Sequence, residues 1–89
     1  LHWAAEKGHL STTKFLIRNG ASIHHKDNEG HTPLHDAAKW DQQKISKLLI
    51  FHGASVNAKG VDGRSPLHIA IANGNMDIVE LLKRHGAKL

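Results

Sequence analysis

The sequence predicts an all-α solenoid, a stack of helix-turn-helix repeats, and three observations predict it. Thr32-Pro33-Leu34-His35-Asp36-Ala37-Ala38 recurs 33 residues later as Ser65-Pro66-Leu67-His68-Ile69-Ala70-Ile71, and its second half stands 33 residues earlier as Leu1-His2-Trp3-Ala4-Ala5. A Gly-Ala pair keeps the same step, at Gly20-Ala21, Gly53-Ala54 and Gly86-Ala87. Between these anchors, Ile45, Leu48 and Leu49 fall at i, i+3, i+4, as do Ile78, Leu81 and Leu82, which is the inward stripe of a helix. Self-similarity at a fixed period of this size marks a stacked repeat architecture, in which each unit buries its apolar face only against its neighbours.

Residues 1–26 read as a repeat without its opening turn. Leu1 to Lys7 form a first helix ended by Gly8, and Ser11 to Arg18 a second helix with Phe15 and Leu16 as its apolar pair. Gly20 supplies the left-handed residue that closes it. Ser22 to His31 make a connector, with turn chemistry at Asp27-Asn28-Glu29-Gly30. Thr32 caps the next helix and Pro33 fits its first turn, where a missing N–H costs nothing; Ser65-Pro66 repeats that device. The connector from Ser55 to Arg64 matches the first, and Ile23 and Val56 are the apolar residues that tie each connector to the stack. One place breaks the pattern. The inter-helix turn reads Lys7-Gly8-His9-Leu10 and Asn73-Gly74-Asn75-Met76 in the outer repeats but Trp40-Asp41-Gln42-Gln43 in the middle one. If the glycines are left-handed, Asp41 must adopt that conformation with a Cβ, at a cost of roughly 1 kcal/mol.

With these anchors in register, the chain resembles the ankyrin repeat family over essentially all 89 residues. The resemblance implies about two and a half repeats, at approximately 1–26, 27–59 and 60–89. It also implies that the connectors are β-hairpin fingers projecting at right angles to the helices. Thr12 and Thr13 stand where the family usually places β-branched apolar residues; a buried hydroxyl there needs a partner. His2, His35 and His68 are expected to bond the Thr or Ser before their helices, where one is present, and nearby backbone.

Composition bounds the function. Eighty-nine residues make at most one small domain. There is no cysteine, hence no disulfide framework and no thiolate zinc site. No signal-peptide pattern is visible and no apolar run exceeds four residues such as Leu48 to Phe51, far short of a membrane span. These features predict an intracellular chain, cytoplasmic or nuclear, with no membrane insertion. The chain opens without Met inside a repeat and stops just after a second helix, so both ends are expected to be cut from a longer array. The formal charge is +4, with the surplus concentrated in residues 1–26 at Lys7, Lys14, Arg18 and Lys26. That supports at most weak steering of acidic partners, so nucleic-acid binding would be electrostatic and weak.

No catalytic motif is present: no phosphate-cradling Gly-rich loop, no His-Glu-x-x-His, no nucleophile elbow. The sequence therefore predicts a non-enzyme without cofactor or small-molecule substrate. Nine histidines invite a metal hypothesis. His2, His35 and His68 belong to the repeat, and His52 and His85 recur at helix ends, where a positive ring suits the dipole. His24, His25 and His31 lie on the two arms of one finger but match no ligand spacing, so no metal site is expected.

What remains is a binding surface. By the resemblance, first helices and finger tips line a concave face on which partners dock. The middle repeat would present Asn28, Glu29, His31, Asp36, Lys39 and Trp40. The first would add Trp3, Glu6 and Lys7, and the third Val61, Asp62, Arg64, Ile69 and Asn73. Trp40 stands out because its 33-residue equivalents are Lys7 and Asn73, so the stack requires nothing apolar there. Tryptophan is over-represented among residues that dominate interface energies. The expected function is non-catalytic binding of a protein partner; the alternative is an architectural spacer in a longer array.

Overall fold

The computed structural model describes residues 1–88. Among them are six helices: α1 (His2–Lys7), α2 (Leu10–Arg18), α3 (Pro33–Lys39), α4 (Gln43–Phe51), α5 (Pro66–Ala72) and α6 (Met76–Arg84). They form two layers. The short helices α1, α3 and α5 stack side by side, and α2, α4 and α6 stack behind them. The chain is 32 Å in its longest dimension.

The repeat is visible in the backbone bonds. Each first helix is closed by an N–H from the following turn: His9 to Ala4 O at 3.0 Å, Gln42 to Ala37 O at 2.8 Å and Asn75 to Ala70 O at 2.9 Å. Each second helix is closed by the alanine of the Gly-Ala pair: Ala21 to Leu16 O, Ala54 to Leu49 O and Ala87 to Leu82 O, all between 2.9 and 3.0 Å. Gly20, Gly53 and Gly86 have φ near +90°, the left-handed turn that the sequence assigns to Gly20.

Leu34, Ile45, Leu49, Leu67, Ile78 and Leu82 are buried between the layers with Ala5, Ala37, Ala38 and Ala70. Each large aliphatic contributes about 1.5–3 kcal/mol, and the alanines let the helix backbones approach. Ile23 joins this core from the first connector, and half-buried Val56 packs against it from the second. The stripe on α2 differs from expectation. Phe15 is 62 % exposed and Leu16 half-buried, while Thr13 is fully buried. Its hydroxyl donates to His9 O at 2.7 Å, which satisfies the polar group that burial would otherwise penalise. Thr12 points to solvent. Ser46 and Val79 occupy the same register as Thr13 and are equally buried, but Ser46 Oγ has no partner.

The connectors are turns without strands among the described residues. In the first, Asp27 N–H donates to His31 O at 3.0 Å and Gly30 N–H to Asp27 O at 2.9 Å; Gly60, Gly63 and Arg64 repeat the pattern in the second. The expected β-hairpins are therefore not drawn out into ladders: each turn is closed by one bond between its arms, because the N–H that would return it, of His31 or Arg64, donates instead to the side chain of Asp27 or Asp62. The two fingers are joined by Val61 N–H donating to Glu29 O at 2.9 Å.

Candidate functional site

The histidines of the first helices set where the fingers sit. Thr32 N–H donates to His35 Nδ1 at 3.0 Å, and the Thr32 hydroxyl lies 2.9 Å from the same nitrogen. Nδ1 therefore accepts, and Nε2 carries the proton that it donates to Arg64 O at 3.0 Å. His68 repeats the Nδ1 contacts with Ser65. His2 Nε2 bonds His31 O at 2.8 Å, the equivalent of the His35–Arg64 link one repeat earlier. Each such bond pins a finger to the first helix of the preceding repeat. Burial holds the His35 pKa below its ordinary value despite the favourable Arg64 carbonyl.

The turns are set similarly. Asp41 has φ +57°, in line with Gly8 and Gly74 at +75° and +69°, as the repeat demands. Gln42 and Asn75 stitch each turn to the first helix of the preceding repeat, through Gln42 Nε2 to Glu6 O at 3.2 Å and Asn75 Nδ2 to Ala38 O at 2.7 Å. The broken turn thus keeps the fold of its neighbours and turns Trp40 outward.

These constraints leave an open cleft of about 340 Å³ between the first two repeats, lined by His2, Trp3, Glu6, Asp27, Glu29, His31, Asp36, Lys39 and Trp40. Trp3 is 61 % exposed and Trp40 50 %. Trp3 stacks on His9 at 4.9 Å between ring centroids, and Lys39 Nζ stands 5.4 Å from the centroid of the Trp40 ring. Asp36 is half-buried, and its pKa rises to about 6: burial is the main cause, repulsion by Asp27 and Glu6 adds to it, and His2 and His31 oppose it. Burial also works on Asp27, but the backbone N–H groups of His31 and Glu29, 3.0 and 2.9 Å from its Oδ1, outweigh it and lower its pKa.

The cleft brings together seven of the residues named from sequence: Trp3, Glu6, Glu29, His31, Asp36, Lys39 and Trp40. Lys7 lies on the other side of Trp40, beside Gln42. Asn28, Asp62, Arg64 and Asn73 are exposed outside it; Asp62 Oδ1 accepts from Arg64 N–H and Asn73 Nδ2 donates to Ile69 O. Ile69 does not reach the open face: it is 5 % exposed and serves packing. His31 is half-buried, its ring flat against His35. His2 and Asp27 were not foreseen as cleft residues, because only the folded stack brings the finger over the first helix. Another omission was legible: Phe51, 83 % exposed, has Arg18 and Arg84 as its 33-residue equivalents, the same signal that marked Trp40.

His25 and His31 each pack on another histidine, one from a first helix. His25 meets His2 edge-on at 5.8 Å, and His31 lies on His35. A different set, His2, Asp27 and Asp36, places one potential ligand atom each within 4.8 Å of the others. Nε2 of His2 already donates to His31 O and Asp27 Oδ1 already accepts two backbone N–H groups, so two of the three groups are engaged in holding the finger. No helix among the described residues is long and apolar enough to cross a membrane.

Stacked helix pairs with a solvent-open cleft across their first helices define a helical-repeat protein. The family model for ankyrin repeats (3 copies) matches residues 1–89, and the chain belongs to the ankyrin repeat family. Ankyrin repeats generally mediate protein–protein interaction. Among similar proteins, protein phosphatase 1 regulatory subunit 12A of Mus musculus is 46 % identical over 44 residues, which is 49 % of this chain and 4 % of that protein. Protein phosphatase 1 regulatory subunit 27 of Homo sapiens is 49 % identical over 37 residues, 42 % of this chain and 24 % of that protein. An ankyrin repeat protein of Rickettsia bellii (strain RML369-C) is also 49 % identical over 37 residues, 16 % of its length. The chain thus matches only a small part of each relative.

Proposed function

We propose that this chain is a non-catalytic module that binds a protein partner through its concave face and finger tips, with the cleft around Trp3 and Trp40 at the centre. The observation that carries this reading is Trp40 itself. It is half exposed at a position where the other repeats hold Lys7 and Asn73, so its indole gains little from the stack and leaves apolar area in water. Interface tryptophans commonly contribute on the order of 2 kcal/mol or more when a partner covers them. Lys39, Asp36 and Glu29 form the polar rim that such contacts usually have. The regulatory-subunit names of two relatives fit a binding role, and the phosphatase those names mention is theirs. Nucleic acid suits this face poorly, because Glu6, Asp27, Glu29 and Asp36 would repel phosphates.

The test is Trp40→Ala combined with Lys39→Ala in the parent protein, followed by affinity capture and by thermal melting. A binding face predicts at least a tenfold loss of partner affinity, about 1.4 kcal/mol, with melting within about 2 °C of wild type, as for other surface substitutions. Undiminished capture of every partner by the double variant would leave the segment as a spacer.

A further inference from the structure

We propose that the cleft between Trp3 and Trp40 receives a basic side chain, foremost an arginine, from a peptide segment of the protein partner. The proposal rests on the binding-face reading above and adds the chemistry of the partner.

The chain as a whole is basic, at +4, yet Glu6, Asp27, Glu29 and Asp36 line the cleft against a single cation, Lys39. The local sign is therefore opposite to that of the molecule. A surface that attracts acidic molecules at long range would still reject them here, and a cation brought into the cleft meets four carboxylates across a partly desolvated space, where Coulomb energies exceed their values in water.

Two exposed indoles line the same cleft as the carboxylates. An indole face attracts cations, and a planar guanidinium can stack on it while donating to a carboxylate. The chain already shows that the Trp40 face is open to a cation, since its own Lys39 Nζ stands 5.4 Å from the ring centroid. Arginine is preferred to lysine because it can stack and bridge a carboxylate in one geometry.

Asp36 adds to this attraction for a cation. Its carboxylate is half-buried, and Asp27 and Glu6 disfavour its charge. A guanidinium beside it would relieve both burdens at once. The cleft volume of about 340 Å³ lies at the low end of the roughly 300–1,000 Å³ of ligand pockets, which suits one or two side chains of an extended peptide.

The experiment selects short random peptides displayed on phage against the whole chain, with Trp40→Ala as the counter-target. Binders that need Trp40 should carry arginine in excess of the library. In synthetic copies, replacing that arginine by citrulline, which keeps its shape but not its charge, should cost at least about tenfold in affinity. The pair Glu6→Gln and Asp36→Asn should cost as much, while circular dichroism shows the variant folded. Trp40-dependent binders without basic enrichment, or indifferent to citrulline, would overturn the basic-partner inference and leave the binding face standing. Binders that ignore Trp40→Ala, or no binders at all, would overturn both.

Discussion

The imidazole of His31 lies flat against that of His35, with ring centroids 4.9 Å apart and 12° between their planes. This contact makes His31 part of the finger's foundation as well as of the cleft wall. Its Nε2 is buried without a hydrogen-bond partner. Above it runs the next finger, where a Cβ built on Gly60 would stand 2.7 Å from His31 Cδ2 and 3.0 Å from Glu29 O. Gly60 is thus required by close approach of chains, its φ not being left-handed.

Gly60→Ala should therefore destabilise the fold by about 1–3 kcal/mol, as overpacking does. His31→Ala removes one of the two collisions, so the double variant should show a coupling of at least about 0.5 kcal/mol, with residual loss from the Glu29 carbonyl. Urea denaturation of the two single variants and the double measures this. A Gly60→Ala protein as stable as wild type would refute the close packing of the fingers.

Asp41→Gly should stabilise the chain by about 0.5–1 kcal/mol. Asp41 holds φ +57° where Gly8 and Gly74 stand in the neighbouring turns, and relief of left-handed strain outweighs the extra freedom that glycine has when unfolded. A higher melting temperature with partner binding intact would mark the broken turn as drift in one repeat. A stabilised variant that binds less well would show that Asp41 helps present Trp40.

Asp36→Asn should raise stability near neutral pH and leave it unchanged in acid. The folded carboxyl titrates at about 6 against an ordinary 3.8, so between these values the folded state holds more protons than the unfolded one. Wild-type stability accordingly falls as pH rises through that window; asparagine removes the effect. The gain above pH 6 should be about 1 kcal/mol after the discount that its partial exposure requires. His35 acts with the opposite sign: its lowered pKa gives stability that is present above 6.5 and lost as pH falls below it. The difference between variant and wild type isolates Asp36. Melting curves that run parallel from pH 4 to 7 would refute its desolvation.

Much of the fold was legible because the repeat states it three times. The step of 33 places every first helix, every second helix and every left-handed closing glycine, and the same step predicts that Asp41 goes left-handed. Comparison between equivalents also finds residues the stack does not need: Trp40 beside Lys7 and Asn73, and Phe51 beside Arg18 and Arg84. Within one helix the reading was weaker. Phe15 and Thr13 are two positions apart, and the helical period alone does not say which faces inward when the polar one can satisfy its hydroxyl on its own helix through His9 O.

The architecture follows from the order of residues alone, because local rules and the 33-residue repeat agree on which backbone bonds close each helix. The cleft, by contrast, exists only once the repeats are stacked. Glu6 and Trp3 lie on α1, Asp36 and Lys39 on α3, and Asp27 and Glu29 in the finger; no window of sequence contains them together. Stacking α1 against α3, with the finger pinned by His2 to His31 O, gathers four carboxylates and two indoles around one cleft. The charge of that cleft is a property of the packing, which is why a chain of net +4 presents an acidic face where it is proposed to bind.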